Sequence, residues 1–352
     1  MPNGPRVPSR GPFRARGAAP AGDNGAMRGR PILVTGSNRS GTTWVGEALG
    51  QSDEVEYLHE PFNSSLWPRL LERRPPGHFL YVCEENEGPW REPADRLLDY
   101  RFPVGAQLGE VRSTRDGAKL ARDWARSLRR RVRHRRPLLK DPIALFAAEW
   151  LAGRFDLDVV VMVRHPAAFA SSIKRLGWRF DFATWLDQPL LLRDHLGPMR
   201  PDLERMAAGG HDAVEEAIVL WNALYGVVAT LEDRHPEWHV LRYEDLAAAP
   251  VEGFARLYPA LGLRWDDEVA RRVAAFSDER NVKEVPASEK GTVRRDSRAA
   301  MWTWAHRLTA EEVERVRAGT AEVASRYYDE ASWVPPSPTT ASSSGARVAS
   351  QP

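Results

Sequence analysis

Residues 31–44, with the sequence PILVTGSNRSGTTW, constrain the fold more than any other part of this chain. The apolar run at 32–34 predicts a buried β-strand, which enters a loop of small residues between Gly36 and Thr43, and a helical pattern follows. This strand–loop–helix order forms a cradle for phosphate, because the loop N–H groups and the positive end of the helix both face an anion. Gly36 and Gly41 allow backbone angles and close approaches that a Cβ atom would prevent.

The loop nearly matches the P-loop pattern of nucleoside triphosphatases, G-x-x-x-x-G-K-[ST]. Gly36, Gly41 and Thr43 stand in place, but Thr42 occupies the lysine position and the basic residue is Arg39. A triphosphatase would lose the group that reaches its β- and γ-phosphates. We therefore expect the loop to bind a phosphate ester in a protein that is not an ordinary ATPase.

A second segment has the pattern of a central strand that continues into a helix. Residues 158–163, DVVVMV, predict a strand buried on both faces, and Pro166 suits the first turn of the helix that follows. Triphosphatases often place an aspartate at such a strand end to hold Mg²⁺, whereas this chain has Arg164. The site is therefore predicted to be cationic and free of metal. Ser171 and Ser172 lie two turns into the helix, where a hydroxyl would supplement Arg164 on a second phosphate.

These two segments together resemble sulfotransferases that use 3′-phosphoadenosine 5′-phosphosulfate (PAPS). Residues 39–44 are similar to the 5′-phosphosulfate loop of that family, and Arg164 with Ser172 is similar to its 3′-phosphate motif, about 120 residues further on. The resemblance extends over residues 31–330 and is greatest to bacterial members that act on carbohydrates or small molecules. It implies PAPS as co-substrate, no metal, and nucleotide contacts from Arg39, Ser40, Gly41, Thr42, Thr43, Trp44, Arg164, Ser172, Lys290 and Gly291.

The assignment of Lys290 and Gly291 rests on residues 288–295, SEKGTVRR, which resemble the family loop that closes over the 3′-phosphate. That loop usually contains Arg-Lys-Gly, and here glutamate takes the place of the arginine. Arg294 or Arg295 would then supply the missing positive charge.

The remaining pattern predicts an α/β fold: a P-loop-like parallel sheet with helices on both faces, in a single domain. Its ligand is expected at the carboxyl ends of the strands, where both phosphate motifs fall. The candidate strands are 32–34, 55–58, 138–139, 159–163 and 239–241, and the clearest helices are 117–131, 213–233 and 309–327.

The chain ends differ in composition from the middle. Residues 1–30 contain six arginines and one aspartate and predict a disordered basic arm, residues 31–330 form the sulfotransferase domain, and residues 331–352 predict a disordered tail. The net charge of +2 does not indicate a nucleic-acid partner, and no apolar run approaches membrane-spanning length. The single cysteine, Cys83, favours a cytoplasmic location.

Sulfuryl transfer needs a base for the acceptor hydroxyl, groups that hold the sulfuryl group in line, and charge stabilisation on the leaving oxygen. Glu60 and His59 follow the second predicted strand. Carbohydrate sulfotransferases often carry a Glu-Pro pair here, so the resemblance implies Glu60 as the base, with His59 as the alternative. Arg39 would contact the bridging oxygen and the sulfuryl group, and Lys140, at the end of a short strand, would reach the sulfonate or the acceptor.

The predicted function is thus PAPS-dependent sulfation of a hydroxyl on a carbohydrate or small molecule. Two alternatives remain open: a P-loop kinase-like phosphotransferase, and a non-catalytic protein that binds a nucleotide or a sulfated glycan. The irregular stretches 61–115 and 177–212 are candidates for the acceptor pocket and its lid. The arginine-rich run 129–136 is interpreted as a solvated helix end, with attraction of an anionic acceptor as the alternative.

Overall fold

A computed structural model describes residues 29–66, 70–71, 73–109, 111–277 and 298–336. Within these ranges a single parallel sheet of five strands forms the centre of the protein, in the order β2-β3-β1-β4-β5. The strands are β1 Ile32–Gly36, β2 Val55–His59, β3 Arg136–Lys140, β4 Asp158–Val163 and β5 His239–Arg242. The first strand of the sequence is therefore also the middle strand of the sheet.

Helices cover both faces of the sheet, as the alternation along the sequence predicted. The described α-helices are α1 Thr42–Leu49, α2 Gly88–Leu98, α3 Val104–Leu108, α4 Thr114–Arg133, α5 Ala148–Phe155, α6 Pro166–Leu176, α7 Ala183–Leu186, α8 Pro189–Leu191, α9 Arg200–Ala207, α10 Ala213–Arg234, α11 Tyr243–Ala248, α12 Pro250–Ala260, α13 Asp267–Ser277 and α14 Ala310–Ala324. Short 3₁₀ and π turns connect several of them.

Alternate side chains of each central strand enter two separate apolar cores. Leu33 and Val161 lie in the core shared with α5, α6 and α10, whereas Val34 and Val160 lie in the core shared with α1 and α12. A strand sends successive side chains to opposite faces, so a continuous apolar run is needed where both faces are covered. The β-branched run of β4 meets that need, and the predicted α/β class with a P-loop-like parallel sheet is confirmed.

The carboxyl ends of the strands meet along one edge of the sheet. Gly36, His59 and Lys140 lie at the ends of β1, β2 and β3, and Val163 and Arg242 end β4 and β5. The register pairs Val34 with Lys140, and Lys140 with His59. All the predicted catalytic side chains therefore start from this edge or from the loops that leave it.

The packed chain extends slightly beyond the predicted domain boundaries. Arg30 was assigned to the basic arm but pairs with Asp156, with 2.7 Å between Nε and Oδ2. Trp333 was assigned to the tail but packs edge-on against His165, with 4.5 Å between ring centroids. Both contacts join residues that are distant in sequence, so local composition does not indicate them. The rest of the predicted arm (1–28) and tail (337–352) lies outside the described residues.

The arginine-rich run at 129–136 divides between a helix end and a strand. The run begins in the last turn of α4, where Arg130 pairs with Glu56 at 2.8 Å. It ends at the first residue of β3, where the side chain of Arg136 is buried and pairs with Asp158. The interpretation as a solvated helix end therefore holds for exposed residues such as Arg129 and fails for Arg136, because Arg136 is buried and the partly buried carboxylate of Asp158 compensates its charge.

Helix α10 is long and apolar enough to cross a membrane by length and composition alone. However, 67% of its most apolar window is buried inside the protein. It packs against α6 and α14 and contributes Trp221 and Tyr225 to the larger core.

Candidate active site

The loop after β1 has the close approaches that the glycine pattern predicted. Gly36 has a φ of 146°, and a Cβ atom there would lie 2.5 Å from the carbonyl oxygen of Met162 on β4. Gly41 has a φ of 96° and forms the N-cap of α1, where a Cβ atom would lie 2.5 Å from the ring of Tyr243. Any side chain at either position would push the loop away from the strand edge. The cradle therefore requires glycine at both positions.

Hydrogen bonds within the loop after β1 and to the core also fix its conformation. The Ser40 hydroxyl donates to the carbonyl oxygen of Ser37 at 2.7 Å, which closes the turn, and Ser37 Oγ lies 2.7 Å from the phenol oxygen of Tyr225. The same phenol accepts a hydrogen bond from the backbone N–H of Arg164 at 3.2 Å. Tyr225 of α10 thus connects the two segments that the sequence assigned to phosphate binding.

A side-chain contact joins these two segments as well. Arg39 Nε donates to the hydroxyl of Ser172 on α6 at 3.0 Å, across 133 residues of sequence. Arg39 itself has a φ of 69°, a left-handed backbone conformation that is uncommon outside glycine. The structure therefore brings the predicted 5′ loop and the predicted 3′ motif into one location.

Arg164 is buried at the end of β4 and is surrounded by residues that follow β5 and by the carbonyl oxygen of Ala300. Its guanidinium lies 3.7 Å from the ring centroid of Tyr243, and Nη2 donates to Ala300 at 2.7 Å. Nε is 3.5 Å from a carboxylate oxygen of Glu244, which also accepts from the backbone N–H of His165. These contacts place the guanidinium beside the loop, because the Tyr243 ring also packs at Gly41.

The second cluster is centred on Lys140, a cation with no exposed surface. Its Nζ is 2.5 Å from Oε1 of Glu60 and 3.1 Å from the hydroxyl of Thr43 at the start of α1. Glu60 also accepts from the Asn63 side-chain amide at 2.7 Å, and its backbone N–H donates to the Lys140 carbonyl at 2.8 Å. One ammonium group therefore connects the predicted base with the predicted donor loop.

The electrostatics of this cluster favour an ionised Glu60. Burial works to raise the pKa of the carboxyl, but the charge of Lys140 and the hydrogen bonds from Lys140 and Asn63 work against it, and the pKa falls below its usual 4.5. Glu60 has a φ of 47°, so the second predicted catalytic residue also has a left-handed backbone. Such positions cost about 1–3 kcal/mol and cluster at functional sites.

His59 lies next to this cluster, at the end of β2 and directly before Glu60. Its Nε2 is 3.8 Å from Oε1 of Glu60, and its Nδ1 is 3.1 Å from the hydroxyl of Tyr57. The negative charge of Glu60 also acts to raise the pKa of a second histidine, His78. Burial has the larger effect and lowers that pKa below its usual value. No local signal in the sequence marks His78, because neither a strand end nor a motif lies beside it.

Two other residues that build the site were also missed. Gly46 lies inside α1, where a Cβ atom would be 2.6 Å from Cγ of Lys140, so its glycine makes room for the lysine stem. Tyr225 was seen only as part of a helical pattern. Nothing local in the sequence distinguishes either residue, because both act on partners that are distant along the chain.

The other residues predicted to contact the nucleotide lie in different parts of the structure. Thr42 and Thr43 are the first two residues of α1. Trp44 is buried, with its ring 5.4 Å from Tyr243 and 5.5 Å from Phe254 between centroids. Lys290 and Gly291 lie outside the described residues. The role of each of these residues in nucleotide binding stays a prediction.

Comparison with known proteins adds an independent result. A sequence model described as "Sulfotransferase family" matches residues 31–267, which include both phosphate motifs and the Glu60–Lys140 pair. Carbohydrate sulfotransferase 1 of Danio rerio is 26% identical over 332 residues, covering 80% of this chain and 74% of the relative. Carbohydrate sulfotransferase 3 of Mus musculus is 23% identical over 323 residues, covering 75% of this chain and 62% of the relative.

Among solved structures, the sulfotransferase domain from the curacin biosynthetic pathway has a TM-score of 0.46 at 15% identity, covering 86% of this chain and 98% of that one. The family match spans well over half of the chain and confirms the prediction of a PAPS-dependent enzyme. The chain belongs to the sulfotransferase family.

Proposed function

We propose that this enzyme transfers the sulfuryl group of PAPS to a hydroxyl of a carbohydrate or small-molecule acceptor, with Glu60 as the base. The bond between sulfur and the bridging phosphate oxygen breaks, and a bond between sulfur and the acceptor oxygen forms. The acceptor proton passes to Glu60, and adenosine 3′,5′-bisphosphate leaves. The observation that carries this proposal is the Lys140 ammonium, which contacts both Glu60 and Thr43.

Each charged residue has a separate task in this reaction. Lys140 keeps the Glu60 carboxyl ionised, so that it can accept a proton at neutral pH. Arg39 leaves the loop at the cradle, where a guanidinium stabilises the charge that develops on the leaving phosphate oxygen. Arg164 and Ser172 would hold the 3′-phosphate, Arg164 from a buried position where an ion pair is only weakly screened.

Glu60 is favoured over His59 because of its contacts. Lys140 donates to one oxygen of its carboxylate and Asn63 donates to the other, so these two side chains orient the carboxylate. His59 Nδ1 lies 3.1 Å from the hydroxyl of Tyr57, and its Nε2 is 3.8 Å from Glu60. A general base must be held in place as well as being ionised, and Glu60 meets both conditions.

A cavity of about 320 Å³ is lined by His59, the residue directly before Glu60, and we propose it as the part of the acceptor site next to the base. The aromatic residues Tyr57, Tyr100 and Phe102 share its lining with polar residues on the inner side of α4. Sugar rings stack on aromatic faces and bond to polar neighbours, and both relatives reported above are named carbohydrate sulfotransferases. We therefore favour a carbohydrate acceptor within this proposal.

The experiment uses two nucleotides that differ by one phosphate. We expect wild-type protein to transfer sulfate from PAPS to members of a glycan panel and to bind adenosine 3′,5′-bisphosphate more tightly than adenosine 5′-monophosphate. Arg164→Ala should weaken bisphosphate binding by roughly 2–4 kcal/mol, because it removes a buried partner of the 3′-phosphate. Calorimetric titration of both nucleotides measures the effect.

The monophosphate serves as the control, since Arg164→Ala should leave its affinity nearly unchanged. Equal losses for both nucleotides would mean that the substitution damages the fold, for instance through the lost contact with Glu244. Unchanged bisphosphate affinity would reject Arg164 as the 3′-phosphate ligand. Absence of sulfuryl transfer to every acceptor would reject the proposed reaction.

A further inference from the structure

Helix α4 has an apolar stripe that faces away from the protein. Trp124, Leu128 and Val132 recur every four residues and are 51%, 47% and 70% exposed. Exposed alanines at 118, 121 and 125 fill the same face of the helix. At 3.6 residues per turn these positions form one band about 20 Å long.

The opposite side of α4 is the one that contacts the protein. Ser127 is buried there and donates to the carbonyl oxygen of Tyr100 at 2.6 Å, and Arg130 binds Glu56 from the same side. In an ordinary surface helix the apolar residues face the core and the charged residues face water. The arrangement in α4 is reversed, so folding of this domain does not account for the stripe.

Positive charge surrounds the stripe. Over Thr114–Arg133 the helix contains eight lysines and arginines and two aspartates. Helical geometry places Arg122 and Arg129 along one border of the stripe and Arg131 along the other. The neighbouring helix α3 adds two exposed apolar side chains, Val104 and Leu108. The surface therefore combines a Trp- and Leu-containing apolar band with a basic rim.

We propose that the outer face of α4 docks on a membrane surface that contains anionic lipids. A basic helix with tryptophan and leucine on its apolar face lies in the lipid interface, with the apolar side chains among the acyl chains and the arginines at the headgroups. Each cation near an anionic leaflet adds to the attraction, and salt weakens it. Both the shape and the charge of this face match that partner.

Charge and apolar pattern argue against three other occupants: a second copy of the chain and its two terminal segments. A second copy docked through the same face would bring the arginine borders of two α4 helices together, where like charges repel. Residues 1–28 contain five arginines and one aspartate, so they have the same sign of charge as α4. Residues 337–352 contain no acidic residue and no periodic apolar pattern. An anionic lipid surface is the complementary partner.

The test is co-sedimentation of the full-length protein with phosphatidylcholine vesicles, with and without phosphatidylglycerol. We expect binding only to the anionic vesicles, and less of it at high salt. The triple variant Trp124→Ser, Leu128→Ser, Val132→Ser should reduce the bound fraction about tenfold, because it removes the apolar contacts and leaves every arginine in place. The variant Arg122→Gln, Arg129→Gln, Arg131→Gln should lose most of the salt-dependent part of the vesicle binding.

A matched control removes exposed apolar side chains elsewhere. Trp178 and Val334 are 42% and 67% exposed and lie outside α4, so Trp178→Ser with Val334→Ser should bind vesicles as wild type does. Adenosine 3′,5′-bisphosphate affinity should be unchanged in the triple variant, which separates loss of docking from loss of the active site.

Three results would overturn the proposal. The first is a wild-type protein that does not bind anionic vesicles. The second is a triple variant that binds as well as wild type, since the basic arm at 1–28 would then explain the attraction. The third is the absence of vesicle binding together with a wild-type dimer, detected by sedimentation analysis, that the triple variant does not form. That result would assign the stripe to contact with a second copy.

Discussion

The Lys140–Glu60 contact is the most informative pair of residues in the site. A buried ammonium group is costly unless an opposite charge and hydrogen bonds compensate it. Lys140 has this compensation from Glu60 and from the hydroxyl of Thr43. If Glu60 is the base, as we propose, the pair holds it ionised and fixed before any acceptor binds, which is the preorganisation that catalysis requires.

At this scale we predict that Glu60→Gln lowers kcat by about 10²–10⁴-fold, because general-base catalysis contributes a factor of that size. Affinity for adenosine 3′,5′-bisphosphate should stay the same, since the neutral side chain keeps the size of the original. Steady-state kinetics and calorimetric titration measure the two quantities.

The matched control is Glu56→Gln on β2, the strand that Glu60 follows; the Glu56 carboxylate binds Arg130. It should retain near wild-type kcat. Full turnover by Glu60→Gln would remove Glu60 from the mechanism and make His59 the residue to test next.

A second prediction concerns the pH dependence of Lys140→Met. The base must be ionised, so kcat/KM falls as the pH drops through the pKa of Glu60. In wild type Lys140 holds that pKa below 4.5. Without the ammonium, burial is the dominant effect and raises the pKa, so the acidic limb of the kcat/KM profile should move to higher pH.

A series of kcat/KM measurements from acidic to neutral pH provides the test. An acidic limb at the same pH in both proteins would show that Lys140 does not control the ionisation of the catalytic base, even if the variant is slower at every pH.

At the scale of elements, α1 and β3 are fitted to each other through one glycine. Gly46 of α1 leaves the space that the stem of Lys140 fills. Alanine is the better helix former by about 1 kcal/mol, so glycine at a mid-helix position calls for a reason in packing.

We predict that Gly46→Ala destabilises the protein and lowers activity, because the new methyl group displaces Lys140. Gly153→Ala is the control: Gly153 lies in α5 with no atom within 4 Å of the Cβ position, so it should stabilise the fold by up to about 1 kcal/mol. Urea denaturation of both variants compares them. A gain in stability for both substitutions would contradict the packing role of Gly46.

The elements that sequence predicts well are those with local patterns. The apolar runs of β1 and β4 and the glycines of the cradle loop were identified because their patterns depend on their own neighbours. The contact of Lys140 with Glu60, 80 residues apart in sequence, depends on strand order instead. One sequence does not specify that β3 lies between β1 and β2, so the sequence indicated both residues without the bond between them.

For the same reason the surroundings of Arg164 were only partly predicted. The strand-end position was clear from the sequence, but the partners Tyr243, Glu244 and Ala300 come from segments brought together by the fold. The Tyr243 ring also packs at Gly41, so the segment after β5 contacts the cradle loop as well as Arg164.

At the scale of the whole molecule, residues 298–336 pack against His165, which lies directly before α6. Its imidazole stacks on Trp304 at 5.4 Å and meets the rings of Tyr328 and Trp333 edge-on. Neither ring nitrogen has a hydrogen-bond partner among the described residues. Burial, with the nearby charges of Arg164 and Arg242, lowers its pKa to about 3.

This histidine should make the protein sensitive to acid. Its pKa is lower in the folded than in the unfolded protein, where it is near 6.5. Between those values the unfolded chain binds the additional proton, so stability falls as the pH falls. At about pH 5 the loss is about 2 kcal/mol relative to neutral pH.

We therefore predict that His165→Phe reduces the difference in unfolding free energy between about pH 7.5 and about pH 5 by about 2 kcal/mol. Urea denaturation at the two pH values measures it. His134→Asn, at an exposed left-handed position that asparagine tolerates, should leave the difference unchanged. A His165→Phe protein as acid-sensitive as wild type would assign the effect to other groups.

The phenol of Tyr225 has a consequence for ligand choice. It contacts Ser37 on one side and the backbone of Arg164 on the other, deep in the interior. We therefore expect the folded core to fix the separation between the two proposed anion-binding ends before any ligand arrives. A nucleotide whose phosphates are spaced more closely or more widely would have to distort that core, so we expect the enzyme to select its donor by length as well as by charge.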